Sequence, residues 1–320
     1  MYKLRLITAL FALVSFTWAH AEPSFSGYFN VEHFDAEGKD AKYDMHHFNI
    51  MVGHEIGKFS LFAELEFEHA PATEDGIGNI TAERAYGQYS HNRHLNVRAG
   101  VMLNDTLYQE NHYPSIVYNI SRPQMVKKII SGSSEGIRVF GEIGGGFDYA
   151  VEDGQEPGVA GVPAENKNHK TYSLGYSFNL GEVTGRVSAR QAVYHKPNAA
   201  AEADETATSY DLNLKWNSLG LWFESGAASS DETIKLTDKE GTYAILSYDL
   251  ELEDKGTLIP YYMYDSFKDK VTDTDATVRT GLGVAYRPEP QITLKLEHLS
   301  TDDGTDTTAQ WAAAFVYFYN

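Results

Sequence analysis

The chain contains no cysteine, and this absence excludes several kinds of chemistry. Without thiols there is no disulfide framework, no thiolate zinc site and no cysteine nucleophile. Basic residues are also scarce, since 26 Lys and Arg stand against 45 Asp and Glu, for a formal charge of −19. Proteins that bind nucleic acids neutralise phosphates with basic residues, so DNA and RNA are not expected partners.

Long hydrophobic runs are missing beyond the first 21 residues. The first 21 have a basic start, an apolar stretch from Leu6 to Trp18 and a small-residue site at Ala19-His20-Ala21. This is the pattern of a cleaved secretory signal peptide. The apolar stretch has about 13 residues, well short of the roughly 20 that a spanning helix needs. Residues 1–21 are therefore predicted to be a signal peptide, and 22–320 an exported domain with 24 basic against 45 acidic residues.

Period-2 alternation dominates the exported part, and helical periodicity is almost absent. From Phe59 to Phe67, for example, apolar residues alternate with polar ones, so one face is apolar and the other carries Glu64 and Glu66, with Glu68 next in phase. Such alternation is typical of a β-strand with one apolar face. The sequence predicts sixteen strands, at approximately 24–34, 43–54, 58–70, 79–91, 94–102, 135–143, 146–152, 170–180, 182–194, 209–218, 220–228, 241–252, 256–266, 276–287, 291–300 and 309–319.

The connections between these segments alternate between tight Gly- and Pro-containing turns and longer acidic loops. A sheet in hydrocarbon must close on itself and turn its apolar face outward, because lipid offers no hydrogen-bond partner. The predicted fold class is therefore all-β: a transmembrane antiparallel β-barrel of about sixteen strands in a Gram-negative outer membrane, with both termini periplasmic. A soluble sandwich or propeller also has alternating strands, but the signal pattern and the aromatic last strand favour the barrel.

Aromatic residues near strand ends are expected to form the interfacial girdles of such a barrel, in contact with outer-membrane lipids and lipopolysaccharide. The candidates are Tyr172, Tyr210, Trp216, Trp222, Tyr243, Tyr248, Tyr286, Trp311, Tyr317 and Phe318.

Sixteen strands enclose an aqueous channel, whereas eight fill their interior with side chains. The sequence thus predicts a porin for passive diffusion of small hydrophilic solutes. A channel specific for a siderophore or an oligosaccharide is an alternative, as is a barrel hydrolase. The insertion from Leu103 to Ser134 carries apolar residues that an exposed loop would not need, and is expected to fold into the lumen as a constriction.

Several short motifs between about residues 60 and 142 resemble the phosphate-selective porin family (O and P type). They are Glu83-Arg84-Ala85-Tyr86, Leu95-Asn96-Val97-Arg98-Ala99-Gly100, Asn111-His112-Tyr113-Pro114, Ser121-Arg122-Pro123 and Glu135-Gly136-Ile137. The resemblance implies a sixteen-stranded porin that forms a homotrimer and whose third loop narrows the pore, with anions such as phosphate as possible solutes.

If apolar residues face lipid, the charged residues in the opposite phase line the pore. If the arginines pair with neighbouring carboxylates, they line the wall without setting its charge. If they are unpaired, their positive charges form an electrostatic field in the pore that attracts anions. The insertion's own cations are expected near the narrowest point together with those of the flanking strands, giving a weak anion preference. The predicted pore-lining residues are Arg98, Arg122, Lys127, Lys128, Arg138, Arg186, Arg190, Arg279, Glu64, Glu66 and Glu68.

Neither a metal site nor a catalytic site is predicted, and no cofactor. His46 and His47 are adjacent, and adjacent residues on a strand point to opposite faces, so they are expected to share a site only if a bulge intervenes. No Gly-x-Ser-x-Gly or His-Glu-x-x-His motif occurs in the sequence.

Overall fold

The structure, a computed structural model, describes residues 22–69, 79–111, 113–114, 116–129, 132–155, 168–197, 202–230, 237–273 and 275–320. The predicted signal peptide lies outside these residues, as do parts of several long connections. In the described part of the chain, no helix is long and apolar enough to span a membrane.

Sixteen long strands in these described residues form one closed antiparallel sheet, in which each strand pairs with the next along the chain. This confirms the predicted fold class and strand number. The strands are β1 (Ser24–Ala36), β2 (Lys42–Ile56), β3 (Phe59–Glu68), β4 (Asn79–Asn92), β5 (Leu95–Leu103), β6 (Ser133–Gly144), β7 (Phe147–Gln155), β8 (Asn168–Leu180), β9 (Val183–Pro197), β10 (Glu202–Trp216), β11 (Leu219–Ser230), β12 (Asp238–Tyr248), β13 (Thr257–Asp269), β14 (Thr277–Glu289), β15 (Ile292–Asp302) and β16 (Thr307–Tyr319).

The first and last strands close the barrel. Their pairing runs from Gly27 opposite Tyr319 to Ala36 opposite Gln310, which leaves no open sheet edge. The Tyr319 hydroxyl donates to the carbonyl of Asn49 at 2.7 Å, across Gly27. A side chain at Gly27 would occupy the space of that hydroxyl, so glycine is needed at this closure.

Side-chain exposure shows that the apolar face points outward. On β3, Leu61 and Leu65 are 53% and 46% exposed, while Glu64 between them is fully buried. Six of the predicted girdle aromatics are likewise exposed on the outer face, as a membrane-spanning barrel requires: Tyr172, Tyr210, Trp216, Tyr248, Trp311 and Tyr317.

Trp222 and Tyr243 were wrongly predicted to lie in the girdles. Both are buried in the barrel interior, in an apolar cluster that also contains residues from the connection between β5 and β6. The reason is that part of the lumen wall is itself apolar, so an aromatic residue in a strand does not by itself identify the lipid face.

Strand boundaries differ from the predictions mainly at the polar ends. β10 begins at Glu202 rather than at 209, because its first residues pair with the last residues of β9, from Glu202 opposite Pro197 onward. The predicted segment 241–252 ends at Tyr248; Leu250–Glu251 then pair with Leu258 and Thr257, and a 3₁₀ turn follows at Glu253–Lys255.

Candidate functional site: the lumen and its inward-folded loop

The connection between β5 and β6 folds into the barrel, as predicted. This lumen loop, residues 104–132, contains two short helices, α1 (Leu107–Glu110) and α2 (Gln124–Lys128). The ring of Tyr108 in α1 packs edge to face against the ring of Tyr243, with centroids 6.0 Å apart. The loop therefore crosses the lumen and packs against the wall formed by the later strands.

Helix α2 packs closely on that wall. Met125 is fully buried, and Val126 is nearly so. Gly241 on β12 permits this approach, since a Cβ there would lie only 3.0 Å from the Met125 Cβ. Burial of a side chain of this size contributes about 1.5–3 kcal/mol, so the apolar sequence of the insertion is explained by its contact with the wall.

One buried carboxylate holds the middle of the loop. Glu297 on β15 is fully buried and accepts hydrogen bonds from the backbone N–H groups of Ile120 (3.1 Å) and Ser121 (3.0 Å). The hydroxyl of Tyr261 donates to the same carboxylate at 2.7 Å. Lys295, two residues earlier on the same strand, donates to the carbonyl of Asn119 at 3.3 Å. The loop backbone is thus fixed by side chains of the opposite wall.

A second carboxylate holds the start of α2. The backbone N–H of Gln124 donates to both oxygens of Asp265 on β13, at 3.1 and 3.2 Å. The Arg279 Nε donates to Asp265 at 2.7 Å, and its guanidinium also donates to the carbonyl of Arg122 at 2.8 Å. Arg279 therefore joins the wall to the loop while it keeps a partner carboxylate.

The first residues of the loop are held by two buried arginines. The Arg190 Nε donates to Asp105 at 2.9 Å, and its guanidinium donates to the side-chain oxygen of Asn104 at 2.8 Å. Arg138 donates to the carbonyl of Leu103 at 2.7 Å and to Glu152 at 2.6 Å. Both arginines were predicted to line the pore, but they are only 3% and 6% exposed.

The charge of Asp105 is stabilised by these neighbours. Burial by itself would raise the pKa of its carboxyl, but Arg190, Arg138 and a hydrogen bond from Ser173 outweigh burial and lower that pKa to about 2. Asp105 is thus a carboxylate at any physiological pH.

Replacing Glu297 by alanine is expected to loosen the middle of the loop. Two backbone N–H groups would lose a charged acceptor, and each such hydrogen bond contributes about 1.5–3 kcal/mol. Hydrogen–deuterium exchange followed by mass spectrometry should show the amides of Ile120 and Ser121 exchanging at least roughly tenfold faster, while those of α1 keep their wild-type rates.

The matched control is Glu251→Ala, which removes an exposed glutamate near the short turns. Its exchange in the loop should equal that of the wild type. Unchanged exchange in Glu297→Ala would show that the apolar contacts alone hold the loop.

The first cavity lies toward the end of the barrel that carries the long connections, and has a volume of about 490 Å³. Cations border it on the loop side and on β14 and β15, whereas carboxylates and histidines border it on β1 to β3. The cations are Arg122, Lys127, Arg279 and Lys295, and the groups on the other side include Glu32, His46, His47, Glu68 and His69.

Arg122 and Lys127 are the loop's own contribution to this cavity. Among the described residues, neither has a carboxylate within ion-pair distance. Burial in the lumen, and then the neighbouring cations Arg122 and Arg279, lower the pKa of Lys127. The cluster of positive charge is thus only partly neutralised and faces open space.

A second cavity of about 400 Å³ lies toward the short turns. It is bordered by Arg98, Arg138 and Arg186, with Asp105 and Asp148 among its acidic residues. Arg186 pairs with Asp148 at 2.8 Å. Arg98 instead donates to the Gln88 side chain at 2.8 and 3.0 Å and lies over the ring of Tyr86.

The structure therefore separates cations that were expected together. Arg122 and Lys127 border the first cavity, Arg98 and Arg138 the second, because the loop passes between the two. Lys128 borders neither of these two cavities: its ammonium lies over the ring of Phe267, 4.4 Å from the centroid.

The three glutamates predicted to line the pore, Glu64, Glu66 and Glu68, also lie in different environments. Glu64 is fully buried, with Arg84 as an ion-pair partner at 2.7 Å, and Glu66 is 5% exposed. Of these three glutamates, only Glu68 borders one of the two cavities described above. Of the two alternatives given for the arginines, pairing with neighbouring carboxylates therefore applies to most arginines of the strands.

Asp265 and Tyr261 take part in holding the loop but were not identified from the sequence. Both share the inward phase of β13 with Met263, so a carboxylate within an otherwise apolar face was the available signal. Arg84 could not be assigned to a face because β3 and β4 shift register between Glu64 and Leu65.

A bulge brings two histidines together. Asn30 pairs with His47, but the next residue, Val31, pairs with Met45, so His46 is an extra residue in β2. The expectation that His46 and His47 point to opposite faces is therefore wrong.

Comparison with solved structures supports the fold. An OmpT variant of Vibrio cholerae, described as an outer membrane protein, aligns with a TM-score of 0.67 and 13% identity over 93% of this chain and 99% of that one. An anion-selective porin from Comamonas acidovorans aligns with a TM-score of 0.67 and 13% identity over 93% of this chain and 100% of that one. OprB of Pseudomonas putida aligns with a TM-score of 0.68 and 8% identity over 93% of this chain and 94% of that one. No protein-family profile and no curated protein matches the chain. The chain thus has the barrel fold of outer-membrane porins.

Proposed function

We propose that the protein is an outer-membrane channel through which small hydrophilic solutes diffuse passively. The observation that carries the proposal is the lumen itself: sixteen strands enclose two charged cavities, one on each side of an inward-folded loop. An outward apolar face places the barrel in a membrane, and the short turns and both termini then face the periplasm. The loop is the constriction in this proposal.

The charge arrangement favours a weak preference for anions. The cations beside the first cavity include two without a partner carboxylate among the described residues, whereas Glu32 beside it accepts a hydrogen bond from Asn30 at 2.8 Å and contacts His46 at 3.0 Å. Unpaired charges inside a confined lumen affect permeation more than loop charges beyond the screening length of about 8 Å. This supports anions such as phosphate as solutes, in keeping with the resemblance to the O and P type.

A homotrimer is part of the proposal. One of the similar solved structures is described as a trimer form, and the outer face of this barrel carries a continuous set of exposed apolar side chains that can contact lipid or another subunit.

Planar-bilayer recording of the purified protein tests this function. Stepwise increases of conductance in KCl are expected, with a reversal potential that indicates a modest excess of chloride over potassium permeability. If the flux of one oligosaccharide or siderophore saturates as its concentration rises, the solute-specific channel is the better explanation and general diffusion is contradicted.

The same purified protein distinguishes the channel from the hydrolase alternative. A barrel that hydrolyses lipid or peptide and gives no steps of conductance would contradict the channel. Two serines in the lumen, Ser173 and Ser188, donate to the carboxylates of Asp105 and Asp211. A serine nucleophile needs a general base such as histidine at this position, so these contacts favour the channel.

A further inference from the structure

The bulge in β2 places two imidazoles side by side on the lumen wall. The rings of His46 and His47 have centroids 4.1 Å apart. Both residues border the first cavity, together with Glu68 of the neighbouring strand β3. A regular strand would have directed one of the two histidines to the lipid face.

Three ligand atoms converge at this point. One nitrogen from each imidazole and one carboxylate oxygen of Glu68 all lie within 4.8 Å of one another. The His47 side chain is mostly buried, and its Nδ1 lies 2.7 Å from an oxygen of Glu66 without the alignment of a hydrogen bond. This contact with a carboxylate holds the buried imidazole in place beside Glu68.

Carboxylates behind the histidines complete the arrangement. The Nδ1 of His46 lies 3.0 Å from Glu32, and the Nδ1 of His69 lies 2.8 Å from Asp44. The His69 ring is itself 5.3 Å from that of His46. Carboxylates bonded to histidines fix the orientation of the ring and increase its basicity, as the outer partners of metal-ligating histidines do.

We propose that His46, His47 and Glu68 bind one divalent transition-metal ion of the zinc class on the wall of the lumen. Two imidazoles and a carboxylate are the ligands that zinc takes in open sites, where a fourth position is left for water. His46, His47 and Glu68 all border the cavity, so water in the lumen would reach the ion. The bound ion adds two positive charges to the wall that otherwise carries acidic groups, opposite the cations of the loop.

Metal titration of the intact protein tests this site. The full barrel, made without a histidine tag and stripped with a chelator, is titrated in detergent micelles with zinc chloride against a zinc-binding dye. One ion per chain is expected. His47→Gln and Glu68→Gln should each weaken binding at least tenfold, and excess magnesium should not displace the zinc, because magnesium prefers sites made of oxygen ligands alone.

His298→Gln is the matched control, because His298 lies in the outward phase of β15 against Trp311, with ring centroids 4.7 Å apart. Its affinity for zinc should equal that of the wild type. The absence of stoichiometric binding, an equal loss in His298→Gln, or full affinity in the folded His47→Gln and Glu68→Gln barrels would overturn the site. The readout does not involve current, so this proposal and the channel proposal can fail separately.

Discussion

The double substitution Arg122→Glu, Lys127→Glu is expected to convert the proposed weak preference for anions into a preference for cations. Both side chains border the first cavity, and neither has an ion-pair partner among the described residues. The change replaces two positive charges by two negative ones opposite Glu32 and Glu68. Potentials of several kT inside a cleft change local ion concentrations by tenfold or more, so the potassium-to-chloride permeability ratio should rise by roughly tenfold.

Reversal potentials in a KCl gradient measure this ratio. Lys128→Glu is the control, because Lys128 is adjacent to Lys127 and its substitution changes the charge by the same two units as each member of the double variant, but its ammonium lies against Phe267 and outside both cavities. Its effect should be small. If Lys128→Glu shifts the reversal potential as much as the double variant does, selectivity is set by the general charge of the lumen and not at the cavity.

Asp105→Asn is expected to give a large loss of stability. It leaves Arg190 only 3% exposed and without its carboxylate partner. Breaking a buried ion pair by removing one partner costs about 3–5 kcal/mol. Urea unfolding in micelles, followed by tryptophan fluorescence, should show the reduced free energy of unfolding; Trp222 reports on the lumen because its ring lies 6.0 Å from that of Tyr118 in the loop.

The effect of this substitution should depend on pH in a defined direction. The pKa of Asp105 is lowered from an ordinary value near 3.8 to about 2 in the folded protein. The ion pair therefore stabilises the fold fully above about pH 4, and its contribution is lost as the pH falls through about 2. The difference between wild type and Asp105→Asn should be constant from pH 7 to about pH 5 and should shrink below pH 4.

Asp148→Asn is the control for this prediction. Asp148 also pairs with an arginine, Arg186, but the two side chains are 36% and 32% exposed. Pairs this accessible to solvent contribute about 0–1 kcal/mol. Equal losses of stability in the two variants would show that burial of Arg190 does not determine the cost, and that the loop is held mainly by its apolar contacts.

The sequence alone determined the barrel and the number of its strands. Alternation of apolar and polar residues, as in Leu61 to Leu65, is imposed by lipid on one side and water on the other, and it can be read without knowledge of any distant contact. The apolar residues of the insertion, Met125 and Val126 among them, similarly predicted that it folds inward, because apolar side chains are buried wherever the fold allows.

Tertiary structure decided which lumen charges remain free. Arg190 and Arg122 are both arginines in the predicted lumen, yet one is buried against Asp105 and the other borders a cavity. The difference depends on the path of the loop across the barrel, which is fixed by Asp265 and Glu297 on strands more than 140 residues later in the chain. Local periodicity contains no information on such contacts.

The bulge at His46 illustrates the same limit at the scale of one residue. Strand periodicity assigns neighbouring residues to opposite faces, and one inserted residue reverses that assignment for everything on one side of it. The extra residue becomes visible only when β1 and β2 are paired and the register between Asn30 and Val31 is found to shift. The sequence fixes which residues alternate, whereas the pairing of two strands decides where the alternation breaks, because register is a property of both strands together.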